Sequence, residues 1–183
     1  MKTSILTFII ALATIASSAQ DKLVTRTGEV SFSSKTAMEN IEAKNSQTAS
    51  IFLVNEKTVA FNVILRSFKF DKALMEEHFN EKYVHSDKYP SAKFKGVIQD
   101  DIDLKKPSTY NDVTLKGNMD FHGVKKPITV TADIIVNQDG SIAFTSLFSL
   151  KLKDYKVEVP SLVEDKISPE IEINVATKYA SND

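Results

Sequence analysis

Three histidines, His78, His85 and His122, are the side chains in this 183-residue chain best suited to hold a metal or move a proton. His78 and His85 stand seven residues apart across the end of an expected helix, and neither His-Glu-x-x-His nor a His-x-His pair occurs. That spacing matches no zinc or metalloprotease pattern, so an ordinary structural or surface role is expected for each. The serines include no Gly-x-Ser-x-Gly elbow on which a Ser-His-Asp constellation could be built. Glu76-Glu77 and Asp100-Asp101 are adjacent in sequence and read as solvated faces rather than as a carboxylate dyad, and no glycine-rich phosphate loop appears. With no cysteine, thiolate zinc sites, cysteine nucleophiles and disulfides are excluded. The expectation is therefore a protein that is not an enzyme and needs no cofactor.

The residue types favour apolar recognition instead. Phe61, Phe68, Phe70, Phe79, Phe94, Phe121, Phe144 and Phe148 are more aromatics than a small barrel needs for closure. They either fill the interior completely or line an elongated apolar cavity, and periodicity alone leaves both open. The formal charge is -1, which supplies no electrostatic footprint for a phosphate backbone, so nucleic acid is excluded as a partner.

The elements that must position these rings follow a period of two. Thr58 to Leu65 places Val59, Phe61, Val63 and Leu65 on one face, and Ala92 to Ile98, Val113 to Phe121, Ile128 to Val136 and Ile142 to Leu152 repeat the pattern. So does the segment Ile171, Ile173, Val175, Thr177, Tyr179. Shorter strands are expected at Gly28 to Ser34, Asn40 to Asn45 and Ala49 to Asn55, for about eight or nine in all. Asn55-Glu56-Lys57 and Asn137-Gln138-Asp139-Gly140 have the composition of tight hairpin connections, whereas Asp100 to Asp112, with Pro107, reads as a polar connection. So many long strands, each with one apolar face, would leave exposed edges unless the sheet closed, so an antiparallel barrel is expected rather than a sandwich. One helix is expected from Lys72 to about Asn80, capped by Asp71, with Leu74, Met75, His78 and Phe79 on the face that packs over the barrel as a lid.

The first twenty residues are different. Lys2 precedes an apolar stretch, Ile5 to Ala16, too short to span a bilayer but suited to a signal peptide, and Ser17-Ser18-Ala19 supplies small residues for cleavage after Ala19. Residues 1–19 are expected to be a signal peptide, residues 20–183 one barrel domain, and the mature protein periplasmic or secreted.

Three stretches carry a resemblance. FKFDKALMEEHFNEKYVHSDKYPSAKFKG, Phe68 to Gly96, resembles the helix, Tyr-Pro turn and following strand of the YceI-like family of exported bacterial proteins. VTLKGNMDFHGVKKPITVTADI, Val113 to Ile134, is similar to that family's strand, His-Gly turn and Lys-Pro strand, and LKDYKVEVPSLVEDKISPEIEINV, Leu152 to Val175, to its closing segment. The resemblance implies an extended eight-stranded lipocalin-like antiparallel barrel whose tunnel holds a polyisoprenoid, a quinone-like molecule or a related long-chain amphiphile. Its expected lining is Phe61, Val63, Leu65, Phe68, Phe70, Leu74, Met75, Phe79, Phe94, Leu115, Met119, Phe121, Phe144 and Phe148. Tyr89-Pro90 and His122-Gly123 match the family residue by residue and read as signatures of the fold, since Pro90 fixes a turn and Gly123 permits positive φ.

The leading expectation is an exported soluble carrier of isoprenoid lipid, acting in transport, storage or stress protection, as a monomer or homodimer with transient membrane contact. The alternatives are a filled barrel acting as an interaction module, a metal- or haem-dependent stress enzyme using the histidines, and an outer-membrane barrel. Lys93, Lys95, Lys116, Asp120 and Asp133 lie opposite the apolar faces, which disfavours a lipid-facing exterior.

Overall fold

A computed structural model describes residues 22–181. The signal-peptide expectation for residues 1–19 lies outside them. The elements are β1 (Lys22–Lys35), β2 (Asn40–Leu53), β3 (Thr58–Ile64), the two-residue β4 (Lys69–Phe70), α1 (Ala73–His78), β5 (Ser91–Ile98), β6 (Ser108–Phe121), β7 (Val124–Val136), β8 (Ile142–Lys151) and β9 (Glu170–Tyr179). Hydrogen bonding runs β1-β9-β8-β7-β6-β5-β3-β2, all antiparallel, and β1 also pairs with β2, so eight strands close into a barrel. β4 adds a short pairing to β2, Ala43 opposite Phe70. The eight-stranded antiparallel barrel is thus the observed fold.

Alternation explains the wall. Along β7, Val130, Ala132, Ile134 and Val136 are buried, while Thr129, Thr131, Asp133 and Ile135 are exposed. Asn55–Lys57 and Asn137–Gly140 form the expected turns, with Lys57 at φ 48° and Gly140 at φ 77°.

Four boundaries differ from expectation. β1 begins at Lys22, and β2 runs unbroken through Asn45–Ala49, where a polar gap between two strands was expected. Asn45 is fully buried there; its Nδ2 donates to the Ile64 carbonyl at 2.8 Å and its Oδ1 accepts from Gln47 N, so a polar residue is satisfied without ending the strand. A register shift on either side of Gly28 lets β1 stay paired opposite this region. β6 starts at Ser108, inside the expected connection, and absorbs an irregularity between Tyr110 and Val113, where Asp112 has φ 54°. The N-cap of α1 is Lys72, not Asp71, and carries no side-chain bond; the helical run continues past Asn80 as a π-helical segment, Phe79–Tyr83.

The interior has two parts. Phe52, Val59, Leu115, Ile134, Ile142 and Tyr179 are fully buried at one end. Toward the other end aromatic rings gather around open space, capped by the β1–β2 turn, the helical run and the segment between β8 and β9.

Candidate ligand-binding cavity

A cavity of about 400 Å³ occupies that second end, within the ~300–1,000 Å³ range of small-molecule sites. Residues facing inward from β1, β3, β5, β6, β7, β8 and β9 form its wall, because inward positions recur every second residue and the barrel puts them at similar depth. Twelve of the fourteen expected lining residues are there: Phe61, Val63, Leu65, Phe68, Phe70, Met75, Phe79, Phe94, Met119, Phe121, Phe144 and Phe148. Two are not. Leu115 points inward but sits four residues, about 13 Å, along β6 from Met119, fully buried between Ile98 and Val130, and does not itself border the open space. Leu74 is 60% exposed, since the first turn of α1 presents it to solvent while Met75 and Phe79 face the cavity.

The sequence reading missed Phe32, which also lines the cavity. Its ring contacts Phe68 at 5.3 Å, Phe70 at 5.8 Å and Phe79 at 5.4 Å between centroids, tying β1, β4 and the helical run into one aromatic cover. The signal was present in the alternation Gly28, Val30, Phe32, Ser34. Ile171, Ile173 and Val175 on β9 were likewise on an alternating face but not assigned to the cavity they line.

The wall is chemically quiet. Its inner hydroxyls are occupied, Ser34 Oγ accepting from Ser168 N at 2.8 Å and Ser146 Oγ donating to the Thr131 carbonyl at 2.5 Å. Glu39, His78, Lys93 and Lys166 are charged or ionisable contributors to the lining, all of them exposed or half-exposed. Lys72 Nζ reaches Glu39 at 3.3 Å and so fastens the start of the helical run to the β1–β2 turn. Apart from these, the lining is aromatic and aliphatic almost throughout.

The histidines are partly brought together. His122 Nδ1 lies 2.9 Å from the Tyr155 carbonyl, and His122 Nε2 lies 3.0 Å from His85 Nδ1. Tyr89 meets His122 edge to face at 4.7 Å, and a Cβ on Gly123, at φ 74°, would fall 2.6 Å from the Tyr89 ring. The Tyr-Pro and His-Gly signatures therefore touch, which their spacing in sequence did not reveal. His78 stands apart, beside the cavity. Among the described residues no group of three or more His, Cys, Asp or Glu side chains could hold a metal ion.

A closed eight-stranded antiparallel barrel around an apolar cavity is a lipocalin-like architecture. The chain belongs to the YceI-like family, whose profile, described as the YceI-like domain, matches residues 13–179. No curated protein matches it significantly in sequence. Among solved structures it is similar to a polyisoprenoid-binding domain from Saccharophagus degradans implicated in plant cell wall breakdown, at TM-score 0.73 and 12% identity over 89% of this chain and 99% of that one. It is also similar to BcnA of Burkholderia cenocepacia, at TM-score 0.67 and 15% identity over 84% and 96% of the two chains. A YceI protein of Campylobacter jejuni gives TM-score 0.56 and 19% identity over 69% and 74%. At these identities the likeness concerns the fold.

Proposed function

We propose that the protein is a non-catalytic binding protein that encloses the chain of a polyisoprenoid, a quinone-like molecule or a related long-chain lipid. The observation that carries this reading is the 400 Å³ cavity with an aromatic and aliphatic wall and satisfied inner hydroxyls. Each methylene buried there contributes about 0.8 kcal/mol, enough to hold a chain of several isoprene units after ordering costs. The fold shared with a domain described as polyisoprenoid-binding supports the same cargo class. The open volume favours this reading over a filled interaction module.

The protein acts after export, in the periplasm or outside the cell, as the apolar stretch Ile5 to Ala16 suggests. Cargo so insoluble must pass to and from a bilayer with little exposure to water. Met38, Leu74 and Leu162, exposed at 64%, 60% and 88%, stand on the β1–β2 turn, the helical run and the β8–β9 segment, the three segments that cap the cavity, and suit transient membrane contact. The experiment is native mass spectrometry and organic extraction of protein purified from its own host. A bound long-chain lipid is expected. Protein that yields no lipid and takes up no polyprenyl probe would refute the reading.

A further inference from the structure

The barrel wall is not hydrogen-bonded along the whole of one seam. β8 pairs with β9 over its full length, and β6 with β7 as far as Val124, yet β7 pairs with β8 only where Asp133–Val136 meets Ile142–Thr145. Past the Ser146 to Thr131 bond the two strands part, and a second cleft of about 380 Å³ lies there. Leu150 belongs to the walls of both this cleft and the apolar cavity, so a single residue stands between the two spaces.

The cleft is polar where the cavity is not. Ser149 and Lys151 border it from β8, Lys126 from β7, and Tyr155 from the 3-10 turn that follows β8. Tyr155 is only 2% exposed, packed against Met119, Phe121 and Val157, and its hydroxyl has no hydrogen-bond partner. A buried phenol without a partner costs stability, about 1–3 kcal/mol for such groups, and calls for an explanation. Lys126 Nζ is held by Asp154 at 3.0 Å, and Glu170 stands opposite Lys151, so the two lysines meet two carboxylates and the cleft has no net attraction for an anion.

We propose that this cleft receives the uncharged, oxygen-bearing head of the cargo, an alcohol or a carbonyl, and that seating it uncovers the Tyr155 hydroxyl, closed to solvent in the free protein, to donate a hydrogen bond to that oxygen. The chain passes beside Leu150 through the unpaired seam into the cavity. The proposal rests on the lipid-carrier reading, and it adds a polar subsite and a direction to it.

The test uses delipidated protein and two probes, a C15 isoprenoid alcohol and the C15 hydrocarbon lacking its hydroxyl, each titrated by competition against a fluorescent polyprenyl analogue. Wild-type protein is expected to bind the alcohol about 10-fold more tightly, the worth of one buried hydrogen bond. Tyr155→Phe should erase that preference, leave hydrocarbon affinity unchanged, and melt no lower than wild type, because the hydroxyl it removes had no partner. Ser149→Leu, an exposed position that narrows the cleft, should weaken the alcohol alone and serves if Tyr155→Phe does not fold. An alcohol preference that survives these variants, or an equal loss for both probes, overturns the subsite while the carrier reading stands. If neither probe binds wild-type protein, the carrier reading fails and the subsite with it.

Discussion

His122 and His85 share a 3.0 Å bond between Nε2 and Nδ1, and His122 Nδ1 donates to the Tyr155 carbonyl, which can only accept, so with a neutral His122 ring His85 is the donor of the pair. Both residues adopt left-handed backbone, at φ 51° and 46°. The pair joins the loop after the helical run, the β6–β7 turn and the turn after β8 at one point. Replacing His122 by Ala should cost about 1–3 kcal/mol in denaturant unfolding, since a half-buried carbonyl and a ring nitrogen both lose partners. Unchanged stability would mean that water replaces the ring without loss.

Phe94 shares the cavity wall with Phe61, their centroids 6.5 Å apart. Enlarging it by Phe94→Trp should lower retention of a polyprenyl probe while leaving the melting temperature nearly unaltered, because the extra ring enters open space. In a filled core the same change would cost about 1–3 kcal/mol by overpacking. Melting and probe retention measured on one variant separate the two.

The lid is held by Phe79, whose ring meets those of Phe32, Phe68 and Phe70. Phe79→Ala should speed exchange of a fluorescent polyprenyl analogue in stopped-flow mixing more than it weakens equilibrium binding, since a loosened lid lets the cavity wall give as the chain slides in or out while most contacts lie deeper. Leu74→Ala should change neither quantity, as Leu74 faces solvent. A Leu74 effect equal to that of Phe79 would show that the helical run docks by a different face.

Burial raises the phenols of Tyr83, Tyr155 and Tyr179 above the ordinary 10.0. For Tyr155 the Asp154 carboxylate adds to the effect; for Tyr179 the hydrogen bond with Ser50 at 2.5 Å works against it, with a smaller opposing influence from Thr177, whose hydroxyl lies near but makes no bond of good geometry. Above pH 10 the unfolded chain releases these protons while the native state keeps them, so stability falls with rising pH from about 10 to the raised native values. Alkaline urea denaturation should show this slope, and Tyr179→Phe should reduce it. With no tryptophan in the chain, tyrosinate absorbance reports the ionisation directly. A flat profile above pH 10 would contradict the burial of these phenols.

Much of the barrel was legible because its strands bury one face, which writes the alternation of Val59 to Leu65 or Ile128 to Val136 directly into sequence. Depth along the barrel was not. Leu115 and Met119 share one face of β6 and look alike in sequence, yet only Met119 reaches the cavity, since that depends on how far neighbouring strands fill the interior. Leu74 and Phe79 illustrate the same limit on a helix, where a five-residue spacing leaves the facing direction to contacts from β1 and β4. Asn45 read as a strand break because its partner, the Ile64 carbonyl, is nineteen residues away. The parting of β7 from β8 left no mark, since both strands keep their alternation where their mutual pairing stops.

β9 supplies Ile171, Ile173 and Val175 to the cavity wall and also closes the circle by pairing with β1, Ala176 lying opposite Glu29. A nascent chain that has not yet delivered Tyr179 is therefore an open sheet with two bare edges and no enclosed space. Closure must bring together segments nearly 150 residues apart, the kind of non-local contact that makes β proteins slow to fold. The order of events is fixed by this topology: β9, the last strand of the circle, must be made before any enclosed cavity exists.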